Sequence, residues 1–172
     1  MPLVIGLAGR IGSGKTEARR YLSDKYGARE AIFSRILMDI LDRLYLPHKR
    51  EYLQKLGAFI RRELGGQVIV KAFEKDIENI SSDIIVIDGI RYINEVEMLR
   101  KFRNNVLIYI HAPQEMRYER SKKRGEKGEA HITYNEFVEA DGRETERNID
   151  EIGDKADYRI ENTGDLNQLY AR

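Results

Sequence analysis

Cysteine is absent from this 172-residue chain, proline and histidine occur three times each, and the charges nearly cancel, with 30 Lys and Arg against 29 Asp and Glu. Without cysteine there is no disulfide framework and no thiolate metal site. A formal net charge of +1 excludes a protein that grips nucleic acid along a broad basic face, so basic residues have to be read cluster by cluster. No apolar run is long enough to span a bilayer. The chain opens on a strand-like segment where a signal peptide would carry a basic stretch and an apolar core. A cytoplasmic protein with neither membrane nor nucleic-acid partner is expected. With so little proline and no low-complexity tract there is no obvious linker, so residues 1–172 should form one domain.

What is present is an alternation of short apolar runs with amphipathic segments, the rhythm of a parallel sheet. Strands are expected at Leu3–Ala8, Glu30–Phe33, Asp83–Asp88, Val106–His111 and Asp157–Glu161. The third, apolar on both faces, should lie inside the sheet. Helices are expected at Lys15–Lys25, Tyr92–Arg103, Pro113–Arg124 and Tyr134–Asn148, with a polar loop at 125–129 and a short terminal helix. From Ser34 to Asn79 the pattern is helical, broken near Pro47 and at Gly65-Gly66, which reads as a long helical insertion.

Gly9-Arg10-Ile11-Gly12-Ser13-Gly14-Lys15-Thr16 fits G-x-x-x-x-G-K-[ST], with a strand before it and a helix after it. Glycines let the backbone turn tightly, so that several N–H groups converge on phosphate and the helix start adds partial positive charge. Lys15 would reach the β- and γ-phosphates of ATP, and the Thr16 hydroxyl would hold Mg²⁺. The third strand ends in Asp88-Gly89-Ile90-Arg91. Ligands of open α/β sheets sit at the carboxyl ends of strands. Asp88 is therefore placed to organise Mg²⁺, and Arg91 to fork onto a phosphate.

These features, with Tyr109-Ile110-His111-Ala112-Pro113, Arg117-Tyr118-Glu119-Arg120 and the ending Asp157-Tyr158-Arg159-Ile160-Glu161-Asn162-Thr163-Gly164, resemble the nucleoside monophosphate kinase group of P-loop kinases. Within it the likeness is to deoxynucleoside monophosphate kinases, dephospho-CoA kinases and archaeal adenylate-kinase-related proteins. The resemblance implies a doubly wound, five-stranded parallel α/β sheet, an acceptor-binding insertion at 34–79 and a lid region at 117–143. It implies transfer of the γ-phosphate of ATP, with Mg²⁺, to a nucleoside or deoxynucleoside monophosphate, or to dephospho-CoA. By the same likeness Arg117, Arg120, Arg124 and Arg143 would meet the nucleotide and the transferring group, and Asn162, Thr163 and Gly164 would lie against adenine. The spacing of Arg117, Arg120 and Arg124 equally fits a solvated basic helix face, and Asn162-Thr163-Gly164 equally fits a plain turn.

Within the insertion, Arg50, Gln54 and Arg61 fall at intervals of four and seven and so share one helix face, with Leu53, Leu56 and Ile60 as the core stripe. The resemblance makes Arg61 the acceptor-phosphate ligand. One departure stands out. Where relatives follow the serine of the second strand-to-helix turn with Asp, and place Arg three residues later, this chain reads Ser34-Arg35-Ile36-Leu37-Met38-Asp39. Arg35 and Asp39 then either replace the missing charges from one turn away, or form an exposed i,i+4 pair. The second outcome keeps open a reading from another class, a nucleotide-binding regulator that hydrolyses ATP slowly.

Overall fold

A computed structural model describes residues 1–124, 132–142 and 148–172, without the side chains of Arg50 and Arg124. Five strands, β1 (Leu3–Ala8), β2 (Arg29–Ile32), β3 (Ile84–Ile90), β4 (Asn105–His111) and β5 (Tyr158–Glu161), form one sheet in the order β2-β3-β1-β4-β5. Every pairing is parallel. Each return to the same edge therefore needs a crossover, and helices supply them. Around the sheet run α1 (Lys15–Tyr26), α2 (Ser34–Arg43), α3 (Arg50–Glu63), α4 (Val68–Glu78), α5 (Ile93–Leu99), α6 (Gln114–Arg124), α7 (Tyr134–Asp141), α8 (Ile149–Asp154) and α9 (Leu166–Tyr170).

The two-residue repeat of a strand divides the core between two faces. Val4 and Ala8 of β1 join Ile85, Ile87, Leu107 and Tyr109 beneath Phe73 and Ile77 of α4, Leu99 of α5 and Ile149 and Ile152 of α8. Ile5, Leu7 and Val86 face the other way, under Ala18 and Leu22 of α1. Apolar residues facing both ways explain why β1 and β3 read as continuous apolar runs, and both are interior strands. The insertion has its own small core of Leu37, Ile60 and Ile69, flanked by Leu53 and Leu56 as the helical spacing requires. Each such side chain contributes about 1.5–3 kcal/mol relative to an exposed position.

Two expected helices are shorter than their apolar patterns. The one expected over Tyr92–Arg103 stops at Leu99, because Lys101 and Phe102 donate to the carbonyls three residues back, which tightens the chain out of the α-helical ladder. The one expected over Tyr134–Asn148 ends at Asp141, and a separate helix, α8, begins at Ile149. The expected polar loop at 125–129 and Arg143 lie outside the described residues. No helix among the described residues is long and apolar enough to cross a membrane.

Candidate active site

The phosphate-cradle sequence occupies the turn from the central strand β1 into α1. Two of its glycines are fixed by geometry. Gly12 has φ 77° and an added Cβ would lie 2.5 Å from the Arg117 carbonyl oxygen; Gly14 has φ 110° and its Cβ would lie 2.4 Å from Asn162 Nδ2. A side chain at either would be strained and would collide with the element that closes the loop. Lys15 arches back over the turn, its Nζ donating to the carbonyls of Gly9 at 2.5 Å and Arg10 at 3.1 Å.

A cleft of about 420 Å³ opens beside this loop, lined by Gly12 through Glu17, Arg120 and Ser121 of α6, and Asn162, Gly164, Asp165 and Leu166 after β5. Arg120 donates to the Gly164 carbonyl at 3.2 Å. Its other terminal nitrogen, Nη1, is buried without a hydrogen-bond partner, as are the hydroxyls of Ser13 and Ser121. Burial pulls the Arg120 pKa below its ordinary value. An unsatisfied guanidinium nitrogen and two unsatisfied hydroxyls around a glycine turn fit an anionic, oxygen-rich ligand such as a nucleotide phosphate chain. Asn162 is buried, bridging the Ser13 carbonyl at 2.8 Å through its side chain and the His111 carbonyl at 2.7 Å through its backbone. It thus ties β5 to the cradle from the cleft wall, while Thr163 is exposed.

Arg10 and Arg117, both read from the sequence as nucleotide contacts, are engaged elsewhere. Arg117 is 4% exposed and forks onto Asp141 of α7 at 2.7 and 2.8 Å, with further bonds to the carbonyls of Ala112 and Ile11 at 3.0 Å. Arg10 reaches Asp150 of α8 at 2.8 Å and the Asp141 carbonyl at 3.0 Å. Burial opposes ionisation of Asp141, but the Arg117 fork, Gln114 and Arg10 outweigh it, and its pKa falls below the ordinary value. These two arginines thus brace cradle residues 10 and 11 against α7 and α8. No spacing along the chain signals this, because Arg10 and Asp150 lie 140 residues apart.

Asp88 lies two residues before the end of β3, which runs on past the expected Asp88 to Ile90; it is paired with Leu7 of β1 and Ile32 of β2, and its carboxylate lies 3.7 Å from Arg19 Nε. Arg19 also pairs with Glu30 at 3.0 Å. Thr16, three residues before Arg19 on α1, lines the cleft. Arg19 was not among the residues singled out from the sequence.

A second cluster forms where the insertion meets the end of β3. Arg61 of α3 lies over the Tyr92 ring at 4.9 Å. Glu95 of α5, 5% exposed, accepts from the backbone N–H of Arg91 at 2.8 Å and of Tyr92 at 3.3 Å. Burial pushes the Glu95 pKa up to about 7, against the pull of those two N–H groups and of the charges on Arg61 and Arg91. Arg61 and Arg91, expected as acceptor ligands, therefore share one carboxylate neighbour. Gln54 is exposed on α3, and Arg50 begins that helix. Ser34 opens α2, where Arg35 and Asp39 pair with each other at 2.9 Å with side chains 71% and 59% exposed. Glu95 and Tyr92 were missed; the i,i+4 spacing of Arg91 and Glu95 was the available signal.

A family model described as an AAA domain matches residues 5–150. A UPF0200 protein of Methanocaldococcus jannaschii is 32% identical over 97% of this chain and 87% of its own. One from Pyrococcus horikoshii is 31% identical over 97% and 91%. Among solved structures, a shikimate kinase from Bacteroides thetaiotaomicron aligns with a TM-score of 0.62 at 15% identity over 98% of this chain and 92% of that one. A shikimate kinase from Acinetobacter baumannii, solved with shikimate, aligns at 0.59 and 16% over 99% and 90%. The structural likeness gives the fold, that of the P-loop kinases. The sequence matches give the family: this chain is a member of the UPF0200 proteins, built on a P-loop domain of the AAA type.

Proposed function

We propose that this chain is an ATP- and Mg²⁺-dependent phosphotransferase that moves the γ-phosphate of ATP to a nucleoside or deoxynucleoside monophosphate. The observation that carries the reading is the second cluster. Arg61 from the insertion and Arg91 from the end of β3 lie beside one buried carboxylate, at the same edge of the sheet as the cradle. A protein that only binds or hydrolyses ATP needs the cradle; a further pair of arginines, one on the helical insertion and one just after β3, suits a second anion. The structural neighbours named shikimate kinases support phosphotransfer to a small acceptor. Dephospho-CoA, which also carries phosphate, is the alternative acceptor.

In this reading, Lys15 and the cradle N–H groups hold the β- and γ-phosphates. An acceptor phosphate oxygen forms the new bond to the γ-phosphorus as the bridging P–O bond to the β-phosphate breaks, and ADP leaves. Arg120 supplies charge to the equatorial oxygens from the cleft wall, where burial strengthens its field. Arg124 and Arg143 are assigned the same task. Among the described residues no group of three His, Asp or Glu side chains gathers into a metal centre. Thr16 and Asp88 would therefore hold Mg²⁺ jointly with the nucleotide, which suits a cation that keeps several waters. The cation's chemistry would be to neutralise charge between the β- and γ-phosphates.

The Arg35–Asp39 pair supports a second reading. Exposed and satisfied by each other, these residues leave the acceptor side of α2 without the family's charges, as a regulatory ATPase would. ATP consumption by the full chain against a panel of nucleoside monophosphates, deoxynucleoside monophosphates and dephospho-CoA separates the two. Stoichiometric formation of a phosphorylated acceptor is the kinase result. Slow hydrolysis that no acceptor accelerates overturns it.

A further inference from the structure

Glu95 is costly to place where it is. It belongs to a helix whose neighbouring residues Val96, Met98 and Leu99 are core. Taking a carboxylate out of water is unfavourable unless charges or hydrogen bonds compensate. Its Oε2 accepts the backbone N–H groups of Arg91 and Tyr92 at 2.8 and 3.3 Å. Those residues follow Gly89, φ 82°, where the pairing of β3 with β1 skips a residue after Asp88. The Tyr92 ring is the surface on which the Arg61 guanidinium lies, 4.9 Å from its centroid. A single carboxylate thus pins the backbone of one arginine and the platform of the other. The charges of both guanidinium groups also act on that carboxylate.

Resting on the kinase reading above, we propose that Glu95 is the positioning residue of the acceptor-phosphate subsite, holding Arg61 and Arg91 in the arrangement that one phosphate bridges. It touches neither the acceptor nor the reacting atoms; it acts through the two arginines. The bond from the Tyr92 N–H is the one a glutamate makes in a capping box; the second bond, from the Arg91 N–H, and the burial of the carboxylate go beyond that role.

The test uses the full chain with its cradle filled by a non-hydrolysable ATP analogue, and inorganic phosphate as the probe in calorimetry. Glu95→Ala should weaken phosphate binding at least tenfold, while Glu95→Gln, which keeps an acceptor oxygen at the same reach, should stay within threefold of wild type. Glu95→Ala combined with Arg91→Ala should be no weaker than Arg91→Ala alone, since both remove the same arrangement. In turnover, Glu95→Ala should raise acceptor KM at least tenfold and ATP KM less than twofold. Unchanged phosphate affinity in Glu95→Ala, or losses that multiply in the double variant, would overturn the assignment. If Glu95→Ala does not fold, Tyr92→Leu removes the platform with the carboxylate in place. Acceptor KM raised at least threefold at constant ATP KM then supports the proposal, and an unchanged KM overturns it. The two readings fail separately. Phosphate binding that depends on Glu95 in a chain that phosphorylates nothing sinks the kinase, whereas turnover indifferent to Glu95 sinks the positioning role.

Discussion

Glu95→Gln should make the protein more stable relative to wild type as the pH rises. Glu95 has an ordinary value near 4.5 and is pushed up to about 7 in the fold, first by burial, with the Arg91 and Tyr92 N–H groups and the charges of Arg61 and Arg91 opposing. Between those two values the folded chain binds more protons than the unfolded one. Stability therefore falls as pH climbs from about 4.5 to about 7, then levels off. At about 1.36 kcal/mol per tenfold change, the part lost between pH 5 and pH 8 is about 2.5 kcal/mol. Glutamine does not titrate, and its side-chain oxygen still reaches both N–H groups. Any fixed cost of the buried amide is the same at both pH values and cancels in the comparison. Urea unfolding of both proteins at pH 5 and pH 8, in phosphate-free buffer, measures the difference directly. The stability difference, variant minus wild type, should grow by about 2.5 kcal/mol between those conditions. A difference constant to about 0.5 kcal/mol would mean that Glu95 titrates as a solvated acid and that the enclosure described above is wrong.

Lys15→Ala should slow phosphoryl transfer at least about a hundredfold, near 3 kcal/mol of barrier, in a steady-state ATP assay; unchanged turnover would remove the cradle assignment. Arg61→Ala and Arg91→Ala should each weaken acceptor binding by about 1.5–3 kcal/mol with ATP affinity nearly intact, read by titration of each ligand. Asp141→Ala leaves Arg117 buried without its counter-charge and should lower stability by about 3–5 kcal/mol in urea unfolding, whereas Asp141→Leu with Arg117→Met should lose less. Arg35→Ala should change stability by about 0.5 kcal/mol or less; a tenfold fall in acceptor kcat/KM would show that Arg35 replaces the missing family charge.

The sheet, the insertion and the cradle were legible because each rests on a local rule. Runs such as Ile84-Ile85-Val86-Ile87 declare a strand buried on both faces, and the spacing of Leu53, Leu56 and Ile60 declares one face of a helix. The side-chain partners of Arg10 and Arg117 were not legible, because a guanidinium near a phosphate loop looks the same in sequence whether it faces a ligand or a carboxylate more than a hundred residues away, as Arg10 faces Asp150. Likewise Glu95 belongs to the site only because β3 and α3 meet there. No spacing along the chain reports that Arg61 lies on the ring of Tyr92.

The bonds of Arg10 and Arg117 bear on how the cradle works. A loop whose N–H groups must converge on phosphate is a poor folding element by itself, since its glycines lose the most conformational freedom on ordering. Here the loop is held from outside at three points. Arg117 donates to the Ile11 carbonyl, Arg10 anchors on Asp150 and Asp141, and Asn162 donates to the Ser13 carbonyl. Each brace takes up a carbonyl or a side chain of the loop rather than one of its backbone N–H groups. Bracing of that kind moves part of the ordering cost from the binding step to the folding step, which is how a preorganised phosphate site gains affinity. The same Arg117 side chain bonds both Asp141 of α7 and the Ile11 carbonyl of the cradle, so α7 and the loop are tied through one guanidinium. Loss of Asp141 should therefore weaken ATP binding as well as stability, an effect that exposed ion pairs such as Arg35–Asp39 cannot produce.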